Sequence, residues 1–177
     1  MSDLYDRVAG ERDPLTQLVS KIPGFKGYID RQDRRLSDKI LRDTVAERYE
    51  ELWGRISGLQ RDLIDQGQLQ YVDDLEAASI KLRQFIDRVR TAAYGYAGFF
   101  DAIKINSEEL ARVYQYDLTL LNMRDEIEHA VDNVETSIGT DGLPAAIRHL
   151  TGLAQQAIEA FNRRTETMIG GVGESSQ

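Results

Sequence analysis

Glu126 and His129 are the two side chains best spaced to do chemistry together, because residues three apart on a helix reach out from one face. Ferritin-type bundles hold two metal ions with inward-facing glutamates and two Glu-x-x-His pairs of this kind. The second pair is missing here, since the other histidine, His149, has Ala146 three residues before it. Glu126 also lies beside the apolar stripe through Ile127, Val131 and Val134 and not on it. The segment DEIEHAVDNVE therefore reads as a solvated acidic face. No metal and no other cofactor is expected, and a ferritin-like metal-carboxylate enzyme is the third of three functional readings.

Other catalytic arrangements are absent from the sequence. It has no cysteine, no Gly-x-Ser-x-Gly, no GxxxxGK[ST] and no GxGxxG. Neighbouring carboxylates such as Glu50 with Glu51, or Glu108 with Glu109, point to different helix faces and cannot serve one substrate together. No catalytic residue is assigned, and the expectation is a protein that is not an enzyme.

Charge is more informative. The chain of 177 residues carries 30 Asp and Glu against 22 Lys and Arg, a net charge of -8. A nucleic-acid binder needs a surplus of bases on at least one face, so no nucleic-acid partner is expected. The charge is uneven, however. Residues 107–141 hold nine acids and two bases, whereas residues 21–48 hold eight bases and five acids. The positive stretch is led by Ile22, Pro23, Phe25 and Tyr28. Phe25, Lys26, Tyr28, Arg31, Arg34, Arg35 and Lys39 thus form a first candidate surface for a protein partner or an anionic membrane. The plainer account is a helix laced with exposed i to i+4 ion pairs, with Phe25 and Tyr28 capping the end of the core.

The run KIPGFKGYIDRQDRRLSDKILRD resembles the N-terminal segment of a set of uncharacterised bacterial helical proteins. In these, an Ile-Pro-Gly-aromatic-x-Gly-Tyr loop leads into an arginine-rich helix. The resemblance covers about 23 of the 177 residues. It implies a bacterial, intracellular setting and carries over no activity or site.

A second candidate surface lies in YGYAGFFDAIKIN, residues 94–106, where Tyr94, Tyr96, Phe99 and Phe100 gather around two glycines. Such a segment must be buried, either as a lid on the core or against another chain, because large exposed apolar patches are rare on monomers. A homo-oligomer is the corresponding partner.

The elements that must position these residues are helices. Pro14, Pro23 and Pro144 leave residues 24–143 free of proline, which helix interiors do not tolerate. From Asp30 to Gly67 the apolar residues Leu36, Ile40, Val45, Tyr49, Leu52, Ile56, Leu59 and Leu63 recur at helical steps, with Asp30 as expected N-cap and Gly67 as stop. A second stripe runs from Leu75 to Tyr96. A third runs from a cap at Asn106 through Leu110, Val113 or Tyr114, Leu120 or Leu121, Ile127, Val131, Val134 and Ile138 to Gly139. A fourth opens near Pro144 and carries Leu143, Ile147, Leu150, Ala154, Ile158, Phe161 and Met168.

Four long amphipathic helices with short connections predict an all-α fold, an antiparallel up-down-up-down four-helix bundle with a short N-terminal helix. The rival is an extended helical hairpin that buries its stripes only in an oligomer. The expected division is an N-terminal arm at 1–29, the bundle at 30–169 and a disordered tail at 170–177. With no apolar run long enough to span a membrane and an acidic, polar N-terminus, a cytoplasmic location is expected. The functional expectation is a helical interaction or scaffold protein, self-associating or binding a protein through the loop and the aromatic segment. The runner-up is a peripheral binder of anionic membranes.

Overall fold

The computed structural model describes residues 13–31, 34–92 and 107–173. Asp13 opens the first helix by accepting a hydrogen bond from the Thr16 N–H at 3.2 Å, and Pro14 fills the first turn, where its missing donor costs nothing. Helix α1 (Pro14–Lys21) ends at Ile22 in an extended conformation. Gly24, at φ 79°, then turns the chain into α2 (Phe25–Asp30). The expected loop is therefore half helix, and Asp30 closes α2 where it had been expected to cap the next one.

The long helices follow as α3 (Arg34–Asp65), α4 (Val72–Thr91), α5 (Ser107–Ser137) and α6 (Leu143–Gly173), with a single 3-10 turn (Leu69–Tyr71) leading into α4. Both predicted glycine stops lie in the left-handed region, Gly67 at φ 71° and Gly139 at φ 81°. At the first, the Gln68 N–H reaches back to the Leu63 carbonyl at 2.8 Å and satisfies one of the orphaned acceptors of the helix end. Helix α6 passes through Gly170 to Gly173, beyond the tail boundary expected at 170. A helix already nucleated over many turns propagates through residues of poor intrinsic propensity.

The fold is all-α, a bundle in which α3 packs with α4 and α5, and α6 packs with α4 and α5. Direction follows from cross-helix pairs. In the α3–α4 hairpin Arg42 reaches Val89, Glu50 meets Arg83 and Gln60 meets Glu76, so the partners run antiparallel. Between hairpins the order reverses: Tyr49 meets Leu120 and Arg55 meets Asp132, while Lys81 meets Gln155 and Arg88 meets Asn162. Thus α3 lies parallel to α5, and α4 parallel to α6. The up-down-up-down order holds along the chain, and the antiparallel contacts are those within each hairpin.

The predicted stripes line the core. Tyr49, Phe85 and Phe161 form its aromatic centre, with ring centroids 4.3 Å apart for the first pair and 6.1 Å for the second. All three are buried, and burial of each such side chain contributes roughly 1.5–3 kcal/mol. The Tyr49 hydroxyl donates to the Leu120 carbonyl at 2.7 Å, so its polar tip is satisfied at the α3–α5 seam. Burial pushes its phenol far above the ordinary range. One stripe is displaced: on α3 the buried face starts at Leu41, leaving Leu36 exposed and Ile40 only partly covered. Ser37, Asp38 and Arg42 are buried at this end of the helix.

Candidate functional site

The positive end of the molecule is built by α2 and the start of α3, which pack against each other. Its local shape is set by Ile22 and Phe25, both fully buried on either side of Pro23 and Gly24. Phe25 meets Tyr114 of α5 edge-on, with centroids 6.5 Å apart. Phe25 had been a candidate contact residue and the structure corrects this: it is an anchor of the core, as apolar burial dictates when a loop must be tied to a bundle. Arg48 adds a second tie, donating from Nη2 to the Lys21 carbonyl at the end of α1 at 2.7 Å.

The remaining candidates divide. Lys26, Arg31, Arg35 and Lys39 are exposed, and Tyr28 is half-buried. The Arg31 guanidinium sits over the Tyr28 ring at 5.3 Å, which holds two contact-type side chains in one place. Lys39 pairs with Asp43 at 2.8 Å in the i to i+4 manner expected of a solvated helix. Arg34 is the first residue of α3. Tyr94, Tyr96, Phe99 and Phe100, the second candidate surface, lie outside the described residues. Glu126 and His129 are both exposed, and among the described residues no three His, Cys, Asp or Glu side chains gather as a metal site. None of the described helices is long and apolar enough to cross a membrane.

Sequence reasoning missed the most unusual polar group, a buried cluster joining all four long helices. Arg164 of α6 donates from Nε to Asp117 of α5 at 2.5 Å and from Nη2 to Asp38 of α3 at 2.5 Å. Arg42, one turn after Asp38, donates to that carboxylate's other oxygen at 2.7 Å and to the Val89 carbonyl of α4 at 3.0 Å. The Nη1 of Arg164 lies 3.3 Å from the Met168 sulfur, and its guanidinium carbon 5.9 Å from the Phe161 ring centre. Arg164 and Asp117 are each 1 % exposed. Burial pushes the Asp117 carboxyl up to about 6, outweighing the opposing pull of Arg164. Among the described residues, two arginines and two aspartates of this cluster balance in charge. The signal was a gap: the third stripe skips from Tyr114 to Leu121 across position 117, and the fourth from Phe161 to Met168 across position 164.

The two polar regions differ in what they can do chemically. The buried cluster pairs its described charges with one another and holds helices. The α2–α3 end presents exposed cations beside a stacked tyrosine, which suits recognition of acidic groups. Comparison with protein-family models, with curated proteins and with solved structures gave no match.

Proposed function

We propose that this chain is a non-enzymatic, cytoplasmic helical protein that binds an acidic protein partner through the α2–α3 end. The observation that supports this reading is the Arg31–Tyr28 stack, flanked by exposed Lys26, Arg35 and Lys39. A guanidinium already held on an aromatic ring loses less conformational freedom on binding, and Arg with Tyr is the pairing that anchors protein interfaces. Leu36, 38 % exposed between Arg35 and Lys39, adds an apolar contact beside the charges.

Burial of Phe25 weighs against the membrane-surface reading, because a bilayer contact needs apolar side chains to enter the interface and the main candidate is spent on the core. The test is affinity capture from the source cell with wild type and with Arg31→Glu/Arg35→Glu, alongside co-sedimentation with vesicles containing anionic lipid. A specific protein captured by wild type and lost in the charge-reversed variant is the expected result. Capture unaffected by the reversal refutes the assignment of this surface, and vesicle binding lost in the same variant transfers it to a membrane.

A further inference from the structure

Two buried carboxylates converge on one guanidinium in this bundle, and that arrangement has a consequence beyond holding helices. Asp38 and Asp117 both accept from Arg164, so two buried carboxylates share one guanidinium. Burial makes the Asp117 carboxyl hold a proton more firmly than it would in water, and the Asp38 charge adds to this against the pull of Arg164. Among the described residues, the charged groups acting on Asp117 are Arg164 from α6 and Asp38 and Arg42 from α3. Helix α4 meets the cluster through the Val89 and Arg90 carbonyls, while the Arg90 side chain pairs outward with Glu50. Helix α1, whose one charged residue is Lys21, packs on α5.

We propose that the Asp38–Asp117–Arg164 cluster is a proton-dependent latch for the C-terminal part of α6, closed more firmly in mild acid and loosened as pH rises toward neutrality. The sign follows from which state holds the proton. Opening returns Asp117 to water and to the ordinary acidity of an aspartate, so the packed form binds the proton better and acid favours packing. With the packed carboxyl at about 6 and the opened one at 3.8, the open-to-packed ratio rises about tenfold between pH 5 and pH 7. Met168, buried one turn beyond Arg164, and Ile169, exposed beside it, mark the part of α6 that is released.

Amide hydrogen exchange followed by NMR, with the intrinsic pH dependence of exchange divided out, tests this directly. Residues 160–168 should open about tenfold more readily at pH 7 than at pH 5. Residues 145–152, at the other end of the same helix, should show no such change, and Asp117→Asn should abolish it. Equal pH dependence at both ends, none at either, or persistence in Asp117→Asn overturns the latch. Should Asp117→Asn fail to fold, the carboxyl carbon of Asp117 in the wild type decides the matter. A titration midpoint near 6 supports the latch, and one at or below the ordinary value of an aspartate overturns it.

Discussion

Replacing Arg164 by Ala takes one cation from a site that holds two carboxylates. The change removes the donors at 2.5 Å to Asp117 and to Asp38 and leaves Asp117 buried. Asp38 keeps Arg42 at 2.7 Å, so the stranded charge is that of Asp117. Breaking a buried pair by removing one partner costs about 3–5 kcal/mol, and the lost contact of the guanidinium with the Phe161 ring adds to it. Against a typical domain stability of roughly 5–15 kcal/mol, such a loss leaves the protein marginal. The companion variant Arg164→Met/Asp117→Leu removes both charges and refills the volume, so it should recover most of the loss and be far from the sum of its single changes. Urea unfolding followed by circular dichroism and by Trp53 fluorescence gives the free energies. An Arg164→Ala protein within about 1 kcal/mol of wild type, or a double variant as unstable as the sum of the singles, would refute the reasoning.

Phe25→Ala should cost about 3–5 kcal/mol in the same assay, because a fully buried ring against Tyr114 leaves a cavity; a loss under 1 kcal/mol would return Phe25 to the surface. Gly67→Ala should lower stability by about 1 kcal/mol for conformational reasons alone, since a Cβ at φ 71° meets no atom within 4 Å; an unchanged unfolding midpoint would contradict the left-handed turn. The Arg90 hydrogen bond, joined by Arg83, holds the half-buried Glu50 carboxyl below its usual range. A depressed carboxyl stabilises above its unfolded pKa and ceases to do so as pH falls through the folded one. The thermal midpoint advantage of wild type over Glu50→Gln should therefore shrink as pH falls from 6 to 3, and an advantage that grows would reverse the assignment.

Helix existence and order were legible because each stripe had to face a core, and the glycine stops at 67 and 139 were legible because only a left-handed residue ends such helices cheaply. The direction of packing between hairpins was not, since amphipathic stripes fit parallel and antiparallel neighbours alike. Leu36 and Ile40 misled for a related reason: they carry the helical period, but the charges of Asp38 and Arg42 claim the buried face and turn the helix away from them. Phe25 was ambiguous because an aromatic beside glycine serves equally as a core anchor or a contact. The basic residues of the candidate site were found from charge density. The Arg31–Tyr28 stack that organises them depends on α2 forming after Gly24, which sequence spacing had left as a loop.

The parallel seams between hairpins also bear on the order of folding. Each hairpin closes through contacts near in sequence, and so forms quickly. The bond from Arg164 to Asp38 spans 126 positions and that from Arg164 to Asp117 spans 47, so the first can exist only after the two hairpins have met. A docking attempt shifted by one helical turn still buries apolar side chains, yet it strands charges that have no water and no partner. The cluster thereby adds a cost to misassembly: apolar stripes draw the hairpins together, and the four charges find one another in the register that the structure shows.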